Sequence, residues 1–442
     1  MFDLSGHCVK KSVCSTPVVG DEIDTAELWE LTAKCIKEVV SGVSEDIVCV
    51  ANSGHGNGLY MIDKNKIPVS KAVTSMSDRE KIQAEYELFD INSQKSWSGQ
   101  PAYILKWLKE NDSTTYNKTD KILMCKDFIR YKLTDEIVSD YSDMSAAGLI
   151  NTASKQYDRK IFSLLGIEEA FEFLPGLVES CDIAGYVSEK AATETGLKAK
   201  TPVAAGAFDV LACSLGMGID DGIGIIAGTW GVCTSFSNNL QIIKDIRQTV
   251  FAADKDTYLF VDSEPNSAGN LEWFKKIINI DDYGLIDGIV EKSADADVLY
   301  FPYLYQNSHK GCFFGLDFKH TKEDLLKAVF EGICFEHKMQ TEKLMPVVKK
   351  SDFAVLSGGV TASDVWAQMF ADVLNIPVSV TRETQAGALG AAMTAAVAFG
   401  IYDNIKEAKE KMVGIKKIFY PQKDYTKKYN KYKSISKIIK EL

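Results

Sequence analysis

The chain holds ten cysteines yet no C-x-x-C pair, and five histidines yet no H-E-x-x-H. A structural zinc site or a disulfide framework is therefore not expected, and a reducing cytoplasm suits the scattered thiols best. The phosphate loop G-x-x-x-x-G-K-[ST] is missing, which excludes a P-loop enzyme. Long apolar runs are missing too. The longest small-and-apolar stretch, from Gly387 to Tyr402, is mostly Ala and Gly. It falls short of the ~20 strongly apolar residues of a membrane span. Asp3, His7, Lys10 and Lys11 lead into no apolar run, so no secretion signal is readable. Basic charge is in deficit: 50 Lys and Arg against 61 Asp and Glu leave −11, which disfavours nucleic acid as the main partner.

What is present reads as ordinary globular protein, 46% hydrophobic and 25% charged. At roughly 100–200 residues per domain, 442 residues predict two or three domains. Residues 401–442 hold twelve Lys against five Asp and Glu, so the remainder carries −11 − 7 = −18. In that basic tail Tyr425, Tyr429 and Tyr432 recur at i, i+4, i+7. This spacing predicts a closing helix with an apolar stripe and solvated lysines, rather than an arm for nucleic acid or membrane.

Strand-like and helix-like patterns alternate along the chain, which predicts an α/β architecture. Asp24 with Glu27 predicts a helix to about Ser41, followed by a buried strand Ile47–Val50. Leu59–Ile62 and Ile67–Ser70 flank a turn and predict a hairpin; Pro101 opens a helix. In the second half, strands are expected at Ile223–Ala227, Val232–Phe236, Val298–Phe301, Ala354–Leu356 and Val378–Val380. Helices are expected near Leu271–Ile278 and from Thr321, Ser363 and Ala386. A cluster of glycines, Gly216 to Gly231, suggests a boundary near Gly218. The chain then divides into 1–218 and 219–442. At the start, Val9–Val13 reads as a strand with no partner before it.

Three glycine-rich turns follow apolar strands, and each could cradle a phosphate with backbone N–H groups. Gly54-His55-Gly56-Asn57-Gly58 superficially resembles a dinucleotide fingerprint. Its spacing is G-x-G-x-G and its continuation is a strand, so a dinucleotide-dependent oxidoreductase fails on context. Gly228-Thr229-Trp230-Gly231 offers a Thr hydroxyl, or is a plain hairpin turn. Ser357-Gly358-Gly359 lies between a strand and a helix N-terminus, suited to a nucleotide or simply a tight βα loop. Asp209, in Gly206-Ala207-Phe208-Asp209, reads on its own as the N-cap of a helix Val210–Leu215. The competing reading is a general base at the mouth of a cleft.

Further along, Gly311-Cys312-Phe313-Phe314-Gly315-Leu316 is followed by Asp324-Leu325 and Ala328-Val329-Phe330-Glu331-Gly332. This resembles the second signature of the FGGY carbohydrate kinases. Supporting segments stand in the family's order: Ser77-Asp78-Arg79, Lys126-Asp127-Phe128, Gly206 to Asp209, Gly228-Thr229, Phe301 to Leu304, Ser357 to Gly359 and Ala388 to Ala392. The resemblance spans essentially the whole chain. Within the family, Ser267 to Phe274 and Gly56 to Leu59 look most like L-xylulose kinases.

The resemblance implies two actin-like (ribonuclease H-like) ATPase domains flanking a cleft, the first binding sugar and the second ATP. It implies ATP-dependent phosphorylation of a ketopentose such as L-xylulose or xylulose at a terminal primary hydroxyl, with Asp209 as catalytic base. His55, Asn57, Asp78, Arg79, Phe208 and Asn270 would bind the sugar. Gly228, Thr229, Trp230, Gly358, Gly359 and Ser363 would bind ATP, accompanied by Mg²⁺ with no metal-ligating side chain singled out. A homodimer in the cytoplasm is the expected setting. Two positions depart from relatives: His55 stands where they have Gln, and Glu80 where a second Arg is usual. Relatives also open with a strand and a D-x-G-T turn that contacts phosphate and metal. The chain begins after that turn, so a trimmed or mis-assigned start is expected, the alternative being a kinase-dead sugar-binding protein.

Overall fold

The computed structural model describes residues 1–441 apart from 44–45, 221, 306–309 and 350–351. Helix α1, Thr25–Val40, begins where expected, with the Asp24 carboxylate accepting from the N–H groups of Ala26 and Glu27. Its buried face carries Leu28, Trp29 and Ala33. The strands of the first half are short and lie in small, separate sheets. Strand β1, Ser53–Gly54, is followed by β2, Tyr60–Ile62, which pairs antiparallel with β3, Lys121–Leu123. The Asp63–Ile67 turn closes the expected hairpin, the Asp63 N–H donating to the Ile67 carbonyl. Helices α2, Cys125–Thr134, and α3, Tyr141–Ala146, precede β4, Ala207–Phe208. Helix α4, Asp209–Gly216, ends the half.

Two expected strands do not form. Among the described residues Val9–Val13 has no ladder partner; Val9 and Val13 are exposed, while Lys10 and Ser12 bond the end of a helix rather than a sheet. Ile47–Val50 is not a buried strand either. Only Val50 bridges, to Val203, and the other three residues of that run stay partly or fully exposed. Short apolar runs carry no information on whether a neighbouring strand exists to receive them.

The second half is built on one seven-stranded sheet. Its strands are β5 Ile223–Ala227, β6 Gly231–Ser237, β7 Gln248–Phe251, β8 Tyr258–Glu264, β9 Ala354–Ser357, β10 Val378–Thr381 and β11 Ile415–Phe419. The spatial order is β7-β8-β6-β5-β9-β10-β11. The pairs β5–β6, β6–β8 and β7–β8 are antiparallel, β5–β9–β10 is parallel, and β11 closes the edge antiparallel. Antiparallel strands continued by two parallel ones fit the ribonuclease H-like core expected of an actin-like ATPase domain. Helices α5 Gly269–Ile278, α6 Lys322–Leu344, α7 Asp364–Leu374, α8 Ala386–Ala398 and α9 Thr426–Glu441 complete it. Among the described residues no helix is long and apolar enough to cross a membrane.

Helix α6 opens with a capping box, Thr321 and Asp324 bonding reciprocally, and is buried along most of its length. Its Glu336 accepts from Tyr303 at 2.9 Å and Tyr432 at 2.7 Å. Glu331 accepts from Tyr425 at 3.2 Å and pairs with Lys428. The tyrosine stripe of the tail is thus buried as expected, and the hydroxyls of Tyr425 and Tyr432 also satisfy two carboxylates that burial would otherwise destabilise. The halves are joined by α4 and α8, packed antiparallel at glycines. A Cβ on Gly216 would meet the Ala386 carbonyl oxygen at 1.9 Å, and one on Gly390 the Ala212 oxygen at 1.8 Å.

Gly332 of the signature lies against a strand in the same way, with the Tyr300 carbonyl oxygen 2.2 Å from where its Cβ would stand. In mid-helix, Gly→Ala ordinarily gains up to about 1 kcal/mol. Here the backbone contact outweighs propensity, and Gly332→Ala should destabilise by about 1–3 kcal/mol. A urea midpoint equal to or above that of the parent would refute the close approach.

Candidate active site

The site begins with one register. Strands β1 and β4 pair in parallel, with Ala207 opposite Ser53 and Phe208 opposite Gly54. The next residues, His55 and Asp209, therefore leave the two strands side by side. Gly206 permits the approach: its φ is +75°, and a Cβ there would lie 2.0 Å from the Asn52 carbonyl oxygen. Gly54 faces the start of α2, where a Cβ would sit 2.9 Å from the Lys126 nitrogen.

Asp209 does not cap α4. The cap position is Phe208, and Asp209 is the first helical residue, its carboxylate accepting from the Val210 N–H at 2.7 Å. Its side chain is open to solvent, yet surrounding protein desolvates it enough to raise its pKa. The carboxylate thus meets water while protein surrounds it on its other sides.

Beside it, His55 hydrogen-bonds Tyr60 at 3.1 Å through Nε2, while its Nδ1 is buried without a hydrogen-bond partner. Burial by itself would lower the His55 pKa. The neighbouring Cys125 thiol and Asp209 carboxylate outweigh that and push it up to about 9. The effect is mutual: burial raises the Cys125 pKa, but His55 and Tyr60 bring it below its ordinary value. The Oδ1 atoms of Asn52 and Asn57 are likewise buried and unpaired. Unsatisfied buried polar atoms are rare, and here three of them come from the 52–57 segment. That is the donor-and-acceptor inventory a polyhydroxyl ligand would complete.

A charged layer lies beneath. Lys126 approaches Asp127 at 2.5 Å, Asp140 at 2.7 Å and Asp143 at 3.5 Å, all fully buried. Arg130 bonds Asp127 at 2.8 Å and the Ala205 carbonyl at 2.9 Å. Burial drives the Asp143 pKa far up, whereas for Asp127 the burial cost is outweighed by Lys126 and Arg130, which hold its pKa down. Burial favours the protonated form of Asp143, and in that form two cations face two carboxylates. Cys125, Tyr60 and Asp143 were not singled out from the sequence; each is ordinary in its local run and acquires its role only by proximity.

The second side of the site is the carboxyl edge of the parallel strands β5 and β9, a usual ligand position in α/β sheets. Gly228-Thr229-Trp230 forms the β5–β6 turn, with Thr229 and Trp230 exposed. Gly358 has φ +96, and a Cβ there would stand 2.5 Å from the Ala227 carbonyl oxygen, so the two glycine turns touch. Gly359 is exposed with nothing within 4 Å of a Cβ, leaving room for a ligand against its backbone. Phe208 shares a hydrophobic cluster with Leu211, Val232 and Val355, which ties Asp209 to these strands.

Several expected contacts are redirected. Asn270 is fully buried, donating to the Ser267 carbonyl at 3.2 Å and accepting from Tyr300 at 3.0 Å, so it secures α5 instead of facing a sugar. Ser363 caps α7, accepting from the Trp366 N–H, and donates to Asp287 at 2.7 Å. Its hydroxyl is committed to the helix. Arg79 bonds Asp21 and Glu22, each at 2.8 Å, while Asp78 next to it is exposed. Phe208 is buried, its ring 3.4 Å from where a Gly56 Cβ would stand, so it backs the turn. The residues do not form an open metal centre. Among the described residues the one acidic cluster able to hold an ion is Asp127, Asp140 and Asp143, already neutralised by Lys126 and Arg130.

Comparison with known proteins agrees with this arrangement. Residues 12–216 match the N-terminal domain of the FGGY family of carbohydrate kinases, and residues 224–399 match its C-terminal domain. A probable L-xylulose kinase of Haemophilus influenzae is 29% identical over 100% of this chain and 96% of its own. An L-xylulose/3-keto-L-gulonate kinase of Escherichia coli is 31% identical over 94% and 88%. The ligand-bound xylulose kinase structure from Lactobacillus acidophilus superposes with a TM-score of 0.90 at 20% identity, covering 100% of this chain and 94% of that one. Two family-model matches, one on each α/β half, together with this fold likeness define a phosphotransferase of the actin-like ATPase class. The chain belongs to the FGGY family of carbohydrate kinases and is an ATP-dependent sugar kinase.

The charge assignment beneath the site is open to test. Lys126→Met keeps most of the volume but strands two carboxylates on one cation, and should cost about 3–5 kcal/mol. Asp143→Asn replaces a neutral acid by a neutral amide and should cost far less. Equal losses in urea unfolding at neutral pH would show Asp143 to be ionised.

Proposed function

We propose that the chain phosphorylates a ketopentose at its terminal primary hydroxyl, with L-xylulose the foremost substrate, and that Asp209 is the general base. The carrying observation is Asp209 itself: a solvent-open carboxylate, desolvated by its surroundings and side by side with His55. A carboxyl with a raised pKa is a better proton acceptor for a hydroxyl than an ordinary one. ATP supplies the phosphoryl group. Asp209 takes the hydroxyl proton, while the backbone N–H groups of Thr229, Trp230, Gly358 and Gly359 orient and neutralise the phosphates. The unpaired atoms of Asn52, His55 and Asn57 support a sugar site in residues 1–218, and the glycine turns support a nucleotide site in 219–442. Mg²⁺ is proposed only as a companion of the ATP phosphates, since the chain's acidic cluster already faces the cations Lys126 and Arg130. A homodimer and a cytoplasmic location belong to the same proposal, testable by light scattering and cell fractionation.

One observation favours a second reading, a keto sugar acid as substrate. His55, with a pKa of about 9, is cationic at neutral pH, and a cation in the pocket attracts a carboxylate. The name of the Escherichia coli relative includes such an acid. Assays of ADP release with L-xylulose, D-xylulose, polyols and keto sugar acids distinguish the readings. His55→Gln should lower kcat/KM for the acid more than for the neutral ketose; equal losses would refute a charge role.

Asp209→Asn should lower kcat by about 10²–10⁴-fold with little change in sugar binding. Its effect on stability has a defined sign. Because the folded-state pKa is raised, the folded protein binds more protons than the unfolded one between the two pKa values, and stability falls as pH rises through that window. Above it the ionised carboxylate is a cost that Asn removes, so the variant should melt no lower than the parent at neutral pH. Unaltered kcat would remove Asp209 from the chemistry.

A further inference from the structure

Residues 9–17 have no ladder or helix of their own, yet they are laid along α1 in a regular antiparallel progression. The Lys10 ammonium donates to the Ser41 carbonyl at 2.6 Å. Two residues on, the Ser12 hydroxyl donates to Glu38 at 2.6 Å. Two further on, Cys14 reaches α1 at Cys35, with the sulfurs 3.2 Å apart, and its thiol faces the Leu31 carbonyl at 3.8 Å. Every second residue of the segment thus meets the helix about one turn nearer its N-terminus. The polar contacts are exposed and individually weak, worth little against the entropy of a free segment. Two thiols in contact at one rung of that ladder are different, because they can be joined covalently. Cys14 is exposed and Cys35 half-buried, so a small oxidant can reach the pair, and neither residue belongs to the kinase site.

We propose that Cys14 and Cys35 form a reversible disulfide that latches the segment 9–17 onto α1. Glutathione disulfide is the oxidant class considered. One cysteine thiolate attacks a glutathione sulfur, breaking its S–S bond and releasing one glutathione, which takes up a proton. The second thiolate attacks the protein sulfur of the mixed disulfide and expels the second glutathione, likewise protonated in solution. The two protein thiols lose two electrons in total and glutathione disulfide gains them. The shared hydrogen bond from Cys35 raises the Cys14 pKa, with burial and Glu38 acting the same way and Lys34 against them. The exchange is therefore faster on the alkaline side of neutrality. A short loop closed between positions 14 and 35 restricts the unfolded chain and stabilises the folded one.

The test is incubation of the full chain with glutathione disulfide at mildly alkaline pH, followed by alkylation and peptide mapping. The expected product is a Cys14–Cys35 linked peptide, a mass lower by two hydrogens, and a Tm raised by a few degrees that dithiothreitol reverses. Cys14→Ser and Cys35→Ser should lose the linked peptide, leave the remaining thiol as a glutathione adduct, and show no oxidation-dependent rise in Tm. Recovery of both cysteines as alkylated thiols, or of either one paired with a different cysteine, would overturn the proposal. A linked peptide with unchanged Tm would overturn the latch.

Discussion

The arrangement of the first half depends on one parallel pairing between strands far apart in sequence, Ser53–Gly54 and Ala207–Phe208. Two residues on each side are enough because the pairing is extended by the Val50–Val203 bridge and clamped from below. Arg130 holds the Ala205 carbonyl, and the start of α2 abuts Gly54. A slip of one residue would separate His55 from Asp209 and turn alternate side chains to the wrong face. The buried ion network is thus a scaffold for register: charges removed from water are tolerable only in one mutual geometry, and that geometry fixes the chain segments carrying them.

The family signature in the second half has a comparable physical meaning. Gly332 permits α6 to touch the strand Leu299–Phe301, and the preceding Glu331 is held by Tyr425 and Lys428 of the tail. Five residues further, Glu336 gathers Tyr303 and Tyr432. The motif therefore describes how a long buried helix is seated among a sheet and a closing helix. The glycine turns at Gly228 and Gly358 have a different part, letting backbone approach backbone at the carboxyl edge of the sheet.

Much was legible in the chain itself. The helices opened by Asp24, Pro101, Thr321 and Ser363 appear where capping chemistry requires, since a cap is a local interaction between residues a few positions apart. The strands Ile223–Ala227, Ala354–Ser357 and Val378–Thr381 were likewise readable, being short apolar runs bounded by turn residues. The segments 9–13 and 47–50 misled because an apolar run specifies burial preference and not the presence of a partner. Asp209 was found through its neighbours in sequence, and its role as a helix cap was a misreading that differs by a single residue of backbone geometry.

By itself, then, the sequence determined the alternation of elements, the caps, the glycine turns and the membership of a kinase family, all properties of local spacing. Tertiary structure alone decided which polar groups face the cleft. Asn270, Ser363 and Arg79 carry suitable side chains for ligand binding but spend them on Tyr300, Asp287 and the Asp21–Glu22 pair. Cys125, Tyr60 and Asp143 carry no local signal, yet they surround His55 or lie under it. The reason is that hydrogen-bond capacity and ionisation respond to whatever lies within a few ångströms, and chain segments far apart in sequence supply those neighbours.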